Sequence, residues 1–486
     1  MLFNSLEFVI FFPLVTFFYF LIPQKYRWLF LLISSYVFYM GWNAAYALLL
    51  LTSTFITYAA SLLIVQTSKQ KTKKIWLALS IVLNLGILFT FKYFNFFFDT
   101  LYALFDMLHW SYTPIPYSLV LPVGISFFTF QALGYSIDVY RGDVAVQRHF
   151  GKYALFVSFF PQLVAGPIER SKNLLPQLDE THHFEYHNAA SGLRLMAWGY
   201  FKKIVIADTI CTCVNNVYNN LEAYGGFAIL IATILFAFQI FCDFSGYSDI
   251  ARGCARIMGF RLMKNFDHPY FATSVKDFWR YWHISLSTWF KDYIYIPLGG
   301  NRKGKARTCF NLFITFLCSG IWHGANWTFV IWGGLHGMFQ IFGHITQPVR
   351  NKINSLLHTN KLPRIHRGFQ MLFTFTLVCF GWIFFRANSL SDAWLVITKI
   401  FTLDTPNISD LFGILKSMFG TRAELYRLVL TLPVFLAASV LDYTHSIEKR
   451  IKTIPAILRY IVYVIIAVYV LLFARAEMQD FIYFQF

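Results

Sequence analysis

Residues 308–349 read TCFNLFITFLCSGIWHGANWTFVIWGGLHGMFQIFGHITQPV, 42 residues without Asp, Glu, Lys or Arg. A membrane-crossing helix needs roughly 20 apolar residues, so this run holds two of them. A second uncharged run, Trp28–Ser68, is 41 residues long and holds two more. Reading the remaining runs in the same way gives spans near 6–22, 28–42, 44–66, 76–92, 119–137, 190–210, 225–242, 308–323, 327–345, 368–385, 428–442 and 460–474. The sequence therefore predicts an all-α polytopic membrane protein with about 10–13 transmembrane helices. A membrane β-barrel needs alternating polarity in ~10-residue units, which the unbroken runs exclude.

Composition agrees: 57% of the 486 residues are hydrophobic and 13% are charged, against about 25% charged in a soluble domain. The net charge of +17 would suit a nucleic-acid binder. The basic residues lie instead in short connectors such as Lys69–Lys74, Asn301–Arg307 and Glu448–Lys452. That is the positive-inside pattern of a chain embedded in a lipid bilayer, and no nucleic acid is expected. It orients the first helix with its N-terminus outside. Met1–Glu7 lacks the positive start of a signal peptide, so this helix is expected to be retained.

No long linker, visible repeat or soluble domain interrupts the chain, so one membrane domain over 1–486 is expected, with an aromatic tail at 478–486. Seven cysteines form no CxxC pair, and no metal is expected. The segment Phe278-Trp-Arg-Tyr-Trp-His-Ile-Ser-Leu-Ser-Thr-Trp-Phe-Lys-Asp-Tyr293 gathers Trp279, Trp282, Leu286, Trp289, Phe290 and Tyr293 on one arc of a helical wheel. It reads as one amphipathic interfacial helix with His283 at the border of its apolar and polar faces.

Within the opening run, Trp322-His-Gly-Ala-Asn326 contains an intramembrane histidine, a functional candidate unless it is only a packed, hydrogen-bonded ring. His336 and His344 carry the same two readings. Asp243 and Asp249 fit a proton relay or metal site, or equally helix caps and partners for Arg252 or Arg256. The broken stretch Phe160-Pro-Gln-Leu-Val-Ala-Gly-Pro-Ile-Glu-Arg170 is tolerable at membrane depth only if buried in protein or lining a cavity.

Seven motifs in order resemble the membrane-bound O-acyltransferase (MBOAT) family, and within it the AlgI type. They are Leu121-Pro-Val-Gly-Ile-Ser-Phe-Phe128, Ile137-Asp-Val-Tyr-Arg-Gly142, Phe160-Pro-Gln-Leu-Val-Ala-Gly-Pro167, Asp243-Phe-Ser-Gly-Tyr-Ser-Asp249, Phe278–Phe290, Leu298-Gly-Gly-Asn-Arg302 and Trp322–Asn326. The resemblance implies an MBOAT-type bundle with re-entrant or interfacial helices around a central tunnel, in a bacterial inner membrane. It implies that His323 matches the family histidine and His283 a second site residue. It also implies acetyl-CoA as acyl donor, an extracytoplasmic SGNH-type acetyltransferase as partner and a cell-surface polysaccharide as acceptor.

On that reading His323 is a general base, and His283 orients the thioester or the acceptor hydroxyl. Arg280, Lys291, Arg302 and Lys303 are candidates to hold the CoA phosphates, with lipid headgroups as the alternative. Two rivals remain: a D-alanyl transferase resembling the DltB type, fed by a carrier protein, and a proton-coupled transporter. The tail, Phe481-Ile-Tyr-Phe-Gln-Phe486, is either an interfacial aromatic anchor or a carrier. As a carrier, Tyr483 would take the acetyl group once a base removes its proton.

Overall fold

In a computed structural model of the protein the described residues are 1–114, 119–164, 166–402, 407–444, 453–473 and 481–482. Among them the ordered elements are helices, with no strand. Five helices are long and apolar enough to cross a membrane: Ala45–Gln66, Gln70–Met107, Gly226–Ile257, Pro363–Arg386 and Arg422–Thr444. The apolar helices Leu6–Leu21 and Ala456–Leu472 are shorter. The remaining expected spans also appear as helices, among them Gln24–Met40, Ile125–Arg141, Gly304–His323 and Trp327–Ile345. The short helices Phe150–Ser158, Leu390–Phe401 and Ile408–Phe419 were not read from the sequence. Contacts divide the chain into two compact units, Met1–Met196 with Ser248–Lys264, and Ala197–Tyr247 with Asn265–Phe486.

The first unit packs its helices through small hydroxyl residues, which let backbones approach in the absence of a hydrophobic drive between apolar helices. The Tyr153 hydroxyl donates to Thr57 Oγ1 at 2.7 Å, and Ser53 Oγ donates to Asn84 Oδ1 at 2.5 Å. The Phe160-Pro-Gln break is buried in protein, as its composition requires: Phe160 is fully buried, Glu169 is 1% exposed and Arg170 7%. Glu169 holds this irregular backbone by accepting from Asn173 Nδ2 at 2.6 Å and from the Met263 backbone N–H.

The second unit contains the helix hairpin Gly304–His323 and Trp327–Ile345, which is the opening run of the sequence. Asn326 caps the second helix, accepting from the Thr328 N–H at 3.0 Å. The two helices touch backbone to backbone. A Cβ on Gly320 would lie 2.3 Å from the Phe329 carbonyl oxygen and 2.9 Å from Gly333 Cα, and one on Gly324 would lie 2.2 Å from the Phe329 ring. This crossing fixes the height of His323 against the next helix. Gly320→Val is therefore expected to cost roughly 1–3 kcal/mol or more through overpacking. It should abolish the monodisperse peak of the purified protein in size-exclusion chromatography, whereas half-buried Gly343, with open space where a Cβ would go, should tolerate alanine.

Candidate active site

His283 does not lie within a continuous amphipathic helix. The expected helix over 278–293 is split into Val275–Tyr281 and Ile284–Phe290, followed by a π-helical turn at Lys291–Tyr295. The break is at His283 itself, whose backbone is left-handed at φ 43°. Such a conformation is uncommon for a residue other than glycine and persists only where its surroundings over-determine it.

Asn265 supplies that determination. Its carbonyl accepts the Ile284 N–H at 2.9 Å, and its Oδ1 accepts the Ser285 hydroxyl at 2.6 Å and the Ser285 N–H at 3.3 Å. The Asp267 N–H donates to the Tyr281 carbonyl at 2.9 Å on the other side of the break. The loop carrying Asn265 is held in turn by His268, whose ring nitrogens meet Asp267 at 3.1 Å and Asp442 at 3.0 Å. Asn265 is 1% exposed and was missed in the sequence, where nothing distinguishes it from a surface loop asparagine.

The break turns the His283 ring fully inside, at 0% exposure, while Arg280 three residues earlier is exposed. His283 meets Phe244 edge to face at 4.6 Å and Trp322 at 6.1 Å between ring centroids. His323 is 3% exposed and meets the same Trp322 at 5.0 Å, Trp332 at 4.9 Å and Phe385 at 5.4 Å. The two imidazoles thus share one indole as neighbour, although they are separated by 40 positions, one at the break between two short helices and the other at the end of Gly304–His323.

His283 lies in none of the long spans, and burial pushes its pKa down to about 3, so the ring is neutral at any working pH. Because the folded value lies below the unfolded one, the stabilising contribution is complete above about pH 6.5. It is lost as pH falls towards 3.

His336 takes the bland role. Trp279 Nε1 donates to its Nδ1 at 3.2 Å, and a Cβ on Gly381 would lie 2.8 Å from its Nε2, so the ring is a packed, buried element. His344 is exposed. Asp249 pairs with Arg252 at 3.1 Å, as the structural reading had it. Asp243 does not pair with an arginine: it is 3% exposed, mid-helix, and 2.9 Å from Lys203.

The candidate phosphate ligands are not gathered at the imidazoles. Arg280 is within 3.2 Å of Asp277 and Lys291 within 3.9 Å of Asp292, and both side chains are largely exposed. Arg302 and Lys303 are exposed at the start of the Gly304–His323 helix. Twenty residues at 1.5 Å each put them roughly 30 Å along the axis from His323. Tyr483 lies outside the described residues. Its predecessors Phe481 and Ile482 are described and buried, at 0% and 2% exposure.

Residues 37–385, which contain both histidines, match the MBOAT, membrane-bound O-acyltransferase family. The chain belongs to this family. It is 40% identical over 416 residues to the probable alginate O-acetylase AlgI of Pseudomonas aeruginosa, covering 85% of this chain and 77% of the relative. The peptidoglycan O-acetyltransferase of Helicobacter pylori is 35% identical over 437 residues, covering 82% of this chain and 79% of that protein. The teichoic acid D-alanyltransferase of Bacillus subtilis is 27% identical over 293 residues, or 56% of this chain and 70% of its own.

The chain is therefore a multi-pass membrane protein of the AlgI-like branch and an acyltransferase. A transporter reading has no place for a family match over this span.

Two measurements check the site geometry. Asn265→Ala removes acceptors from a buried turn and is expected to destabilise the protein by roughly 1–3 kcal/mol, lowering its melting temperature. His283→Gln cannot bind the proton that the wild-type histidine takes up from solvent on unfolding, so between pH 6.5 and pH 4 it should lose less melting temperature than the wild type.

Proposed function

We propose that this protein moves an acetyl group from cytosolic acetyl-CoA across the membrane for O-acetylation of an extracytoplasmic cell-surface polysaccharide. The observation that carries the reading is the pair of buried imidazoles, His283 and His323, on either side of Trp322. The named activities of relatives aligned over more than four-fifths of the chain support acetate as the acyl group. The D-alanyl reading rests on the lower identity over 56% of the chain.

Acyl transfer from a thioester needs a base at the attacking oxygen and a donor at the oxygen that becomes negative. In this mechanism His323 Nδ1 or Nε2 accepts the hydroxyl proton as the oxygen forms its bond to the acetyl carbonyl carbon. The carbon–sulfur bond then breaks, and the proton passes to the departing CoA thiolate. His283, kept neutral by burial, donates its ring N–H to the carbonyl oxygen while negative charge develops there. The aromatic walls formed by Trp322, Trp332, Phe385 and Phe244 lower the local dielectric, so that one N–H donor counts for more than it would in water.

A tunnel through the second unit would admit the thioester from the cytosolic side. Arg280 and Lys291, on the segments flanking His283, would hold the CoA phosphates at its mouth, and Arg302 and Lys303, roughly 30 Å along the helix from His323, would face lipid headgroups. Tyr483 is the hydroxyl that first receives the acetyl group and presents it outside, where an SGNH-type acetyltransferase transfers it to the glycan.

Mass spectrometry of surface glycans tests the reading in cells. Deletion of the gene and His323→Ala are both expected to remove the O-acetyl groups, and Tyr483→Phe, which keeps the ring, is expected to do the same. Normal acetylation with His323→Ala at wild-type protein levels would overturn the reading. With purified protein, Arg280→Glu with Lys291→Glu should raise KM for acetyl-CoA several-fold at unchanged kcat, and Arg302→Glu with Lys303→Glu should not.

A further inference from the structure

Lys203 and Asp243 form a buried ion pair in the second unit, and a third charge belongs to it. Lys203 Nζ lies 2.9 Å from Asp208 Oδ1 and 2.9 Å from Asp243 Oδ1, with Lys203 at 1% side-chain exposure and the two aspartates at 9% and 4%. The arrangement is built locally. Lys203 and Asp208 belong to one long helix, five residues apart across the π-helical turn Phe201–Ala207, whose wider pitch brings them together. Asp243 comes from the Gly226–Ile257 helix, which packs so closely at Gly246 that a Cβ there would lie 2.8 Å from the Gly199 carbonyl oxygen.

A buried carboxylate oxygen left without a donor is costly. The remaining oxygen of Asp243 is satisfied from the far end of the sequence: Oδ2 accepts the backbone N–H of Ile482 at 2.8 Å. Phe481 beside it packs at 4.5 Å on Tyr247 and 5.7 Å on Phe244, and Phe244 is the ring that meets His283 at 4.6 Å.

We propose that Lys203, Asp208 and Asp243, with Phe244 and Tyr247, form the receptor for the chain's own C-terminal tail, with Asp243 as the positioning residue that holds it beside the His283 side of the site. The ligand class is a peptide backbone with an apolar side chain on each side of one N–H. The Oδ2 of Asp243 selects an N–H donor, and the two aromatic rings select the Phe481 side chain. Docking itself stands on these contacts alone. Its catalytic consequence rests on the reading of Tyr483 as the acetyl carrier, since Tyr483 is the residue after Ile482. This assigns the aspartate of the Asp243–Asp249 motif neither to a metal nor to a proton path: one oxygen faces Lys203 and the other the tail.

The test uses the full-length protein in detergent, digested with carboxypeptidase Y and followed by intact-mass spectrometry. Digestion of the wild type is expected to halt at Ile482. Asp243→Asn leaves Lys203 paired with Asp208 and weakens the acceptor, whereas Ile482→Pro leaves the receptor untouched and deletes the donated N–H. Both are expected to release Phe481 at least about tenfold faster, equivalent to ~1.4 kcal/mol. The double variant should be no faster than either single one, because both changes remove the same bond. Tyr483→Phe should digest beyond the tail no faster than the wild type.

In acetyl transfer to glycan, Asp243→Asn should lower kcat about tenfold at unchanged KM for acetyl-CoA, a split that general loss of folding would not give. Wild-type digestion rates in both Asp243→Asn and Ile482→Pro would overturn the proposal. Tail release in these variants together with full glycan acetylation by Tyr483→Phe would uphold the receptor and reject Tyr483 as the carrier.

Discussion

The backbone contact between Gly320 and Gly333 is the constraint on which the second unit depends. It lets the Gly304–His323 and Trp327–Ile345 helices approach to a distance that no side chain permits, with Gly324 giving way to the Phe329 ring just beyond. With that crossing fixed, Trp332 lies 4.9 Å from the His323 ring, and Trp322 extends from the same helix end to within 6.1 Å of His283. Between lipid-exposed helices the hydrophobic effect contributes little, so shape and polar pairing decide the arrangement. Small residues supply the first and buried hydrogen bonds the second.

Two polar devices complete the site. Asn265 holds His283 in a left-handed backbone that would otherwise relax, and the Lys203 cluster holds two helices together through a charge network. Both bury groups that must be satisfied, and both do so within a few ångströms of aromatic rings that exclude water. The site is accordingly neutral at His283 and charged one ring further out, behind Phe244. An imidazole kept neutral by burial can donate or accept a proton at the reacting centre without first losing one to solvent.

The long uncharged runs made the helices legible, because in lipid the backbone leaves no alternative to a helix of about 20 residues. The same run made three histidines stand out, His323, His336 and His344, and only the motif resemblance separated His323 from the other two. His283 was singled out by its motif, and its ring is buried beside Phe244 and Trp322, but the helix expected to carry it is broken there. Helical periodicity over 278–293 assumed one uninterrupted helix, and the break depends on Asn265, 18 positions away and on another element. Lys203 and Asp208 gave no signal either, since their meeting needs a π-helical turn that no residue pattern announces. The buried anchoring of Phe481 and Ile482 depends on Asp243, over two hundred residues earlier in the chain.

The central claim is that one imidazole, that of His323, activates the hydroxyl that receives the acyl group. Chemical rescue tests it most directly, with acetyl transfer from acetyl-CoA measured for purified wild type and His323→Ala in the presence and absence of free imidazole. Loss of about 10²–10⁴ in rate is expected on removing a positioned general base, with partial recovery that rises with imidazole concentration and saturates. Near-wild-type turnover by His323→Ala without imidazole would contradict the account.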